Sequence, residues 1–223
     1  MHREVVIRRL FNGEAQVLND LVAVEREITL FLNEKKVFTF FCTPKDLVEL
    51  ATGHLITEGL VSEVHSVQIL GNSVYTEAKR GTFRRRASDI KIKFSDLLQA
   101  VEELNDRSQT FKLTGGTHAA GFFINGYIRT FEDVGRHNSV DKCIGGIITE
   151  GLDPSKALVV VSCRLSLSIV RKICAVGVPI LASISAPTDL AVDLAEKEGI
   201  TLVGFVRNGR MNVYSHPERI ELA

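Results

Sequence analysis

Two short apolar runs in the second half of the chain constrain the fold more than any other feature. Residues 157–161 and 180–184 are almost wholly aliphatic. They are too short to span a membrane, and their composition is typical of strands buried on both faces of a sheet. Each is followed by a polar loop and then by a stretch with apolar residues at helical spacing. This alternation predicts an α/β fold with ligands at the carboxyl ends of the strands.

The alternation extends over the rest of the second half. The Asn125-Gly126 pair predicts a hairpin with strands at 119–124 and 127–133. Further strands are predicted at 157–162, 180–183, 201–205 and 211–214, and helices at 139–150, 166–176 and 188–198. We therefore expect an α/β domain over residues 109–223 that carries the ligand pocket.

The first half has a different pattern. Strands are predicted near 5–10, 28–33, 36–42, 67–70, 74–77 and 90–94, and helices from Thr43 to Gly59 and over 95–105. A basic segment with few apolar residues, near 79–89, is expected to be mobile. Residues 1–108 are therefore expected to form a smaller amino-terminal α+β domain that is rich in β-structure.

The charge balance limits the classes of partner. Lys plus Arg and Asp plus Glu both number 27, so no overall field draws the chain to nucleic acid or to an anionic membrane, and neither is expected as a partner. The four cysteines show no paired close spacing, and no segment resembles a signal peptide or a spanning helix. We expect a cytoplasmic protein with reduced thiols. Any site for an anion must then be local.

Polar residues recur in four loops that should meet at one edge of the predicted sheet. Arg136 and Arg164 offer guanidinium groups that match phosphate oxygens, glycines permit close backbone approach, and helix N-termini after three of the loops favour anions. The loops span 114–118, 132–141, 162–166 and 183–188 and contain Gly115, Gly116, His118, Asp133, Arg136, His137, Arg164 and Ser185. They predict a pocket for a phosphorylated or other anionic ligand, without a P-loop or dinucleotide-binding motif.

Each of these residues also has an interpretation that needs no ligand. Asp133 and His137 can close a turn and cap the following helix, and Arg136 can form a surface ion pair that contributes little. Ser185 can cap a helix, and His118 can be a hydrogen-bonded core or turn residue. Because four separate loops all carry polar residues suited to an anion, the existence of the pocket is better supported than the role of any single residue in it.

The four cysteines divide into two groups. Cys42, Cys143 and Cys174 are expected to be structural residues of the core. Cys163 follows a buried strand, precedes Arg164 and lies near a predicted helix N-terminus, which are conditions that lower a thiol pKa. A packed thiol at a strand end is the alternative for Cys163. No zinc site is expected, because the chain has no Cys-x-x-Cys motif and its histidines are scattered.

Several motifs lie in order along most of the chain. They are Thr-Pro-Lys-Asp at 43–46, Glu-Gly-Leu at 58–60, Thr-Gly-Gly-Thr-His-Ala-Ala-Gly at 114–121, Glu-Asp-Val-Gly-Arg-His-Asn at 132–138, Val-Asp-Lys at 140–142, Ser-Ala-Pro-Thr at 185–188, Gly-Phe-Val-Arg at 204–207 and Asn-Val-Tyr at 212–214. With these motifs the sequence closely resembles the FdhD/NarQ family, the formate dehydrogenase accessory sulfurtransferases.

The resemblance implies a cytidine-deaminase-like α/β sandwich for the carboxy-terminal domain, without the zinc signature of a deaminase. It implies that sulfur passes from a cysteine desulfurase to the molybdenum or tungsten bis-molybdopterin guanine dinucleotide cofactor before that cofactor enters the formate dehydrogenase apoenzyme. It also suggests a homodimer, and guanine nucleotide as a surrogate ligand. By the family pattern the nucleotide is held near a turn formed by Phe205, Val206, Arg207, Asn208, Gly209 and Arg210. A solvated β-turn is the alternative.

The chain departs from the family at its thiols. The family carries a Cys-x-x-Cys on the loop between the domains, but residues 82–89 contain no cysteine, and Cys163 stands where the family commonly has glycine. One hypothesis is sulfur transfer through Cys163, with His137 as a candidate acid or base. A second is a cofactor-binding chaperone without a covalent step. A third, a structural partner without any ligand, is disfavoured by the polar loops.

Overall fold

Fourteen strands, six α-helices and two short 3-10 helices (Pro154–Lys156 and Pro217–Arg219) make up the secondary structure of residues 1–222, which the computed structural model describes. The strands are β1 (His2–Phe11), β2 (Glu14–Ala23), β3 (Arg26–Leu32), β4 (Lys35–Cys42), β5 (Val61–Leu70), β6 (Ser73–Arg80), β7 (Ile92–Lys93), β8 (His118–Ile124), β9 (Tyr127–Asp133), β10 (Leu158–Val161), β11 (Ile180–Ser183), β12 (Thr201–Arg207), β13 (Arg210–Ser215) and β14 (Ile220–Glu221). The helices are α1 (Leu47–Thr57), α2 (Phe94–Arg107), α3 (Gln109–Thr114), α4 (Arg136–Thr149), α5 (Leu167–Val176) and α6 (Asp189–Glu198).

The second half of the chain builds a six-stranded sheet in the order β13-β12-β11-β10-β8-β9. Strands β10, β11 and β12 are parallel, and the other neighbours are antiparallel. Alternate residues of the central strands face opposite sides, so that Leu158 and Val160 pack in the cluster that contains α2, whereas Val159 and Val161 pack in the larger cluster with α4 and α5. A mixed α/β fold is therefore confirmed. The apolar runs form strands because both of their faces are covered.

The first half contributes a four-stranded sheet and a separate hairpin. The sheet has the order β4-β3-β6-β5, and Ile28, Leu30 and Leu32 of β3 point into the core with residues of α1. Strands β1 and β2 pair only with each other. Within residues 1–222, none of the helices has both the length and the hydrophobicity that a bilayer-spanning segment requires.

Packing crosses the domain boundary that the sequence suggests at residue 108. Helix α2 lies before this boundary but packs on the six-stranded sheet. Helix α1 contacts α4 backbone to backbone: a Cβ added at Gly53 would lie 1.8 Å from the Asp141 carbonyl oxygen, and one added at Gly145 would lie 1.8 Å from that of Glu49. The division into 1–108 and 109–223 stays a prediction, and the buried cluster that contains α1 extends over both halves.

Three local expectations differ from the structure. Helix α1 begins at Leu47 and not at Thr43, because Thr43 is buried and hydrogen-bonded to the Asp133 carboxylate. Helix α4 begins at Arg136, three residues earlier than expected. Helix α3 was not predicted. The basic segment expected to be mobile is bonded to the second half through three residues: Arg85 with Glu198, Arg86 with Asp153, and Ser88 with the Ser155 carbonyl. Its mobility stays a prediction.

Candidate functional site

The four polar loops lie at one edge of the six-stranded sheet. The parallel strands β10, β11 and β12 all end there, and antiparallel pairing brings the start of β8 and the end of β9 to the same place. Val161 is opposite Ala120, and His118 is opposite Asp133. We call this the strand-end edge. It comprises loops 114–118, 133–136, 162–166 and 183–188 and the turn 207–210.

Hydrogen bonds fix the loops of the strand-end edge to one another. The Ser162 hydroxyl accepts from the Ala119 N–H at 2.9 Å, and the Ser183 hydroxyl donates to the Cys163 carbonyl at 2.7 Å. The Leu165 N–H donates to the Ala186 carbonyl at 3.0 Å. The backbone of the edge is therefore held in place before any ligand arrives.

Four arginines make the strand-end edge electropositive. Their side chains belong to exposed residues, and none of the ion pairs formed within residues 1–222 includes them. They are Arg136, Arg164, Arg207 and Arg210. An exposed guanidinium group that has no carboxylate partner can bind an oxyanion without first losing an ion pair.

The turn after β12 belongs to the strand-end edge and carries two of these arginines, Arg207 and Arg210. Phe205 has φ of 54° and donates its N–H to the Ser185 carbonyl at 3.1 Å, while Asn208 and Gly209 have φ of 53° and 70°. The Arg207 guanidinium lies 5.6 Å from the centre of the Phe205 ring. The side chain of Val206 is buried in the core, so any contact of this residue with a nucleotide would be through its backbone, and that contact stays a prediction.

Gly115 and Gly116 form the exposed loop before β8, and the space beside Gly115 is open, whereas a Cβ added at Gly116 would lie 3.2 Å from the Ala23 Cβ. Gly115 has φ of 63° and ends α3. The loop is anchored by Glu132, whose carboxylate accepts from the Thr117 hydroxyl and from the N–H of Thr110. Glu132 therefore acts in positioning the loop.

Two partly buried histidines, His118 in the strand-end edge and His137 in the first turn of α4, share one cationic neighbour. Burial and the charge of Arg136 lower the pKa of His118 below 6.5. The same two causes lower the pKa of His137, and Lys172 adds to them. His137 Nε2 lies 2.9 Å from the Ser168 hydroxyl, which lies 3.0 Å from that of Ser166. Both imidazoles are thus favoured in the neutral state, in which a ring nitrogen can accept a proton.

Cys163 lies at the edge but is shielded from solvent. The residue is 4% exposed. Burial raises the pKa of its thiol to about 11, and the lowering by Arg136 and Arg164 does not outweigh this effect. The expectation of a lowered thiol pKa at Cys163 is wrong, because the side chain points into the core. Its alternative, a packed thiol at a strand end, describes the structure.

Asp133 closes the turn before α4, as its ligand-free interpretation allowed, and it also pairs with a buried lysine that the sequence did not indicate. Its carboxylate is fully buried and lies 2.6 Å from the Lys142 ammonium group, which is also fully buried. It further accepts from the N–H groups of Gly135 at 2.8 Å and Thr43 at 3.2 Å. Asp133 is therefore not placed to contact a ligand. It holds the first turn of α4, and with it Arg136, against the end of β4.

A second buried charge cluster lies one helical turn from His137. Asp141 of α4 bonds to Lys172 of α5 at 3.0 Å and to His54 of α1 at 3.3 Å. Burial by itself raises the pKa of Asp141, but the His54 hydrogen bond and the Lys172 charge outweigh it and lower the pKa below 3.8. The Val-Asp-Lys motif at 140–142 was the available signal, because adjacent charged residues among the apolar positions of a helix require partners if they are buried.

A mixed α/β fold with its polar loops gathered where the parallel strands end defines a class of proteins that bind ligands at that edge. The FdhD/NarQ family model matches residues 23–80 and 69–221, so the chain belongs to this family. A sulfur carrier protein FdhD from Sulfolobus acidocaldarius is 35% identical, over 99% of each chain. One from Bacillus subtilis is 33% identical over 95% of each chain. A crystal structure from Desulfotalea psychrophila, of a candidate formate dehydrogenase accessory protein, has a TM-score of 0.91 at 28% identity over 99% of each chain.

The comparisons also reveal a difference in length. The alignment with the Sulfolobus protein runs over 250 positions, more than the 223 residues of this chain, so that relative has residues without a counterpart here. The family model matches in two parts that meet near residues 69–80. The second part of the match continues through residues 82–89, which contain no cysteine.

Proposed function

We propose that this protein is a formate dehydrogenase accessory protein that binds the molybdenum or tungsten bis-molybdopterin guanine dinucleotide cofactor at the strand-end edge, and that it carries no sulfur on its own thiols. The four unpaired arginines are the observation that carries the binding. The cofactor is cargo with two diphosphate groups, and guanidinium groups suit such oxyanions.

We assign different parts of the cofactor to different residues of the strand-end edge. Arg136 and Arg164 lie on the loops that follow β9 and β10, and Arg207 and Arg210 flank the turn after β12. We assign the diphosphate oxygens to the guanidinium groups. The Phe205–Arg210 turn and Ser185 receive the guanine nucleotide, and the Gly115-Gly116 loop admits the ligand to the backbone. His118 and His137 face the same ligand.

The burial of the thiols and their raised pKa values argue against transport of sulfur on the cysteines of this chain. Cys42, Cys143 and Cys163 are buried, and Cys174 is partly buried. Burial raises the thiol pKa of Cys163 and Cys174 to about 11, and it is also the main cause of the raised pKa at Cys42 and Cys143. Since the thiolate is the nucleophile, these groups react slowly near neutral pH. Under this proposal, sulfur from a cysteine desulfurase reaches the cofactor by another carrier.

The alternative is sulfur transfer through Cys163. One observation favours it: the thiol lies at the strand-end edge close enough to Arg136 and Arg164 for both charges to lower its pKa. It requires the thiol to leave the core before it can take up sulfur. In both versions we place the protein in the cytoplasm, as a homodimer with a deaminase-like second domain.

Calorimetric titration with GDP tests the binding. We expect Arg136→Ala, Arg164→Ala and Arg207→Ala each to weaken GDP binding about tenfold or more, as loss of a charged hydrogen bond predicts. Arg84→Ala is the matched control, because Arg84 is an exposed arginine on the segment that precedes β7, outside the edge. Equal affinity of the edge variants and the control would refute the site.

Intact-protein mass spectrometry after incubation with a cysteine desulfurase and cysteine tests the thiols. The native protein should gain no sulfur atom, and neither should Cys163→Ala. A gain that disappears in Cys163→Ala would establish sulfur transfer through Cys163 in place of our proposal.

A further inference from the structure

Helices α4 and α5 are joined by two polar contacts that lie one helical turn apart. In their first turns, His137 Nε2 of α4 lies 2.9 Å from the Ser168 hydroxyl of α5. Four residues further along each helix, Asp141 and Lys172 form the buried ion pair at 3.0 Å. Residues four apart lie on the same face of a helix, so both contacts belong to one interface between α4 and α5.

The buried ion pair fixes the position of α5 along α4. The Lys172 ammonium group also donates to the Thr57 hydroxyl at 3.1 Å, and that hydroxyl donates to the Asp141 carboxylate at 2.7 Å. A shift of α5 along α4 would separate these buried charges, which is costly, whereas the apolar contacts around them have no preferred direction. The ion pair therefore holds Ser168 beside His137 before any ligand arrives.

The contact with Ser168 bears on which ring nitrogen of His137 carries the proton. Within residues 1–222, Nε2 forms the one hydrogen bond of the ring and Nδ1 has no partner. Burial and the neighbouring cations lower the pKa of His137, so the ring is favoured in its neutral state, in which one nitrogen donates and the other accepts. The hydrogen bond at one nitrogen selects the tautomer. A Ser168 hydroxyl that donates to Nε2 leaves the proton on Nδ1.

We propose that Ser168 is a positioning residue for His137: its hydroxyl donates to Nε2, so that the Nδ1–H group is available to donate to an oxyanion bound at the strand-end edge. This inference rests on the proposed function for the identity of the ligand, a diphosphate oxygen of the cofactor. Arg136 precedes His137 in the same turn of α4 and contributes charge. An unprotonated Nδ1 would present a lone pair to the oxyanion and weaken its binding, so the tautomer affects affinity.

Nitrogen-15 NMR of the His137 ring at about pH 8, where the imidazole is neutral, tests the tautomer. The signals are assigned by their loss in His137→Gln. We expect the proton on Nδ1 in the native protein and in Ser168→Thr, which retains a hydroxyl, and loss of this preference in Ser168→Ala. Ser95→Ala is the matched control, because Ser95 is also exposed and is the second residue of α2, as Ser168 is of α5. A proton on Nε2 in the native protein, or an unchanged tautomer in Ser168→Ala, overturns the proposal.

Calorimetric titration of the same proteins with GDP measures the consequence for binding. Loss of one hydrogen bond predicts that Ser168→Ala weakens GDP binding about threefold to tenfold, while Ser168→Thr and Ser95→Ala stay within about twofold of wild type. Wild-type affinity of Ser168→Ala overturns the link between the tautomer and the ligand. If the native protein binds no GDP while its His137 tautomer still depends on Ser168, the cofactor site is refuted and the positioning of His137 by Ser168 is supported.

Discussion

At the scale of single residues, buried charge pairs do the positioning and exposed charges are left free for a ligand. Asp133 and Lys142 neutralise each other in the core, whereas Arg136, three residues after Asp133, is exposed. The sequence identified both Asp133 and Arg136 from one polar run, but it could not separate their roles. The role of Asp133 depends on a partner in another element and on burial, and neither is visible in the order of residues.

Replacement of Lys142 by methionine should destabilise the protein strongly. It leaves the Asp133 carboxylate buried without its cation, and loss of one partner of a buried pair costs about 3–5 kcal/mol of the free energy of unfolding. Urea denaturation followed by circular dichroism measures the loss. The double variant with Asp133→Asn should recover part of it, and Lys45→Met, at an exposed lysine, should change little. A single Lys142→Met loss no larger than that of the control would contradict the positioning role.

The pKa of His137 should respond to its cationic neighbour. Burial, Arg136 and Lys172 lower it, whereas Asp141 and Glu58 raise it, so Arg136→Gln should move it up toward 6.5. Because the folded pKa lies below the unfolded value, the unfolded state binds more protons near pH 6, and His137 lowers stability as the pH falls through that range. NMR titration of the ring C–H signals measures the shift. Lys35→Gln, at the distant β3–β4 turn, should leave the titration unchanged, and an unchanged titration in Arg136→Gln would contradict the geometry.

At the scale of elements, α1 and α4 cross in backbone contact at two glycines, Gly53 and Gly145. Gly145→Ala places a methyl group where the Glu49 carbonyl oxygen lies, so the helices must separate. Overpacking typically costs about 1–3 kcal/mol, and because this methyl group would meet backbone, we expect a loss toward the upper end of that range. Thermal denaturation should show the loss, and Thr149→Ala, at an exposed position of the same helix, should remain within about 0.5 kcal/mol. Wild-type stability of Gly145→Ala would show that the helices do not meet at this glycine.

The elements that could be predicted from sequence are those whose burial is regular. Strands β10 and β11 form from apolar runs covered on both faces, and the β8–β9 hairpin turns at Asn125-Gly126 as expected. Only part of β1 was predicted, as a strand near 5–10, and β2 was missed, because most of the residues of both strands are exposed and show no clear alternation. The strand-end edge was predictable as a group of loops. The burial of Cys163 was not, since it depends on which way the residue faces after the strand ends.

At the scale of the whole molecule, the two sheets share one core through α1 and α4. We therefore expect them to unfold together, so that the slowest amides of Leu30 in β3 and Leu181 in β11 exchange with the same free energy and the same denaturant dependence. Native-state hydrogen exchange measures both. If the Leu30 amide exchanges at a clearly lower free energy than that of Leu181, residues 1–108 and 109–223 unfold as separate units.

The contact of α1 and α4 at Gly53 and Gly145 also determines how a displacement of the four-stranded sheet is transmitted to the second half of the chain. Where Gly53 and Gly145 meet the carbonyl groups of the opposite helix, there is no side chain whose rotation could absorb a displacement. Tightly packed interiors compress little and transmit strain. We therefore expect α1 and α4 to move together as one rigid unit. A partner that pushes on the four-stranded sheet would move Arg136, at the first turn of α4, by nearly the same distance.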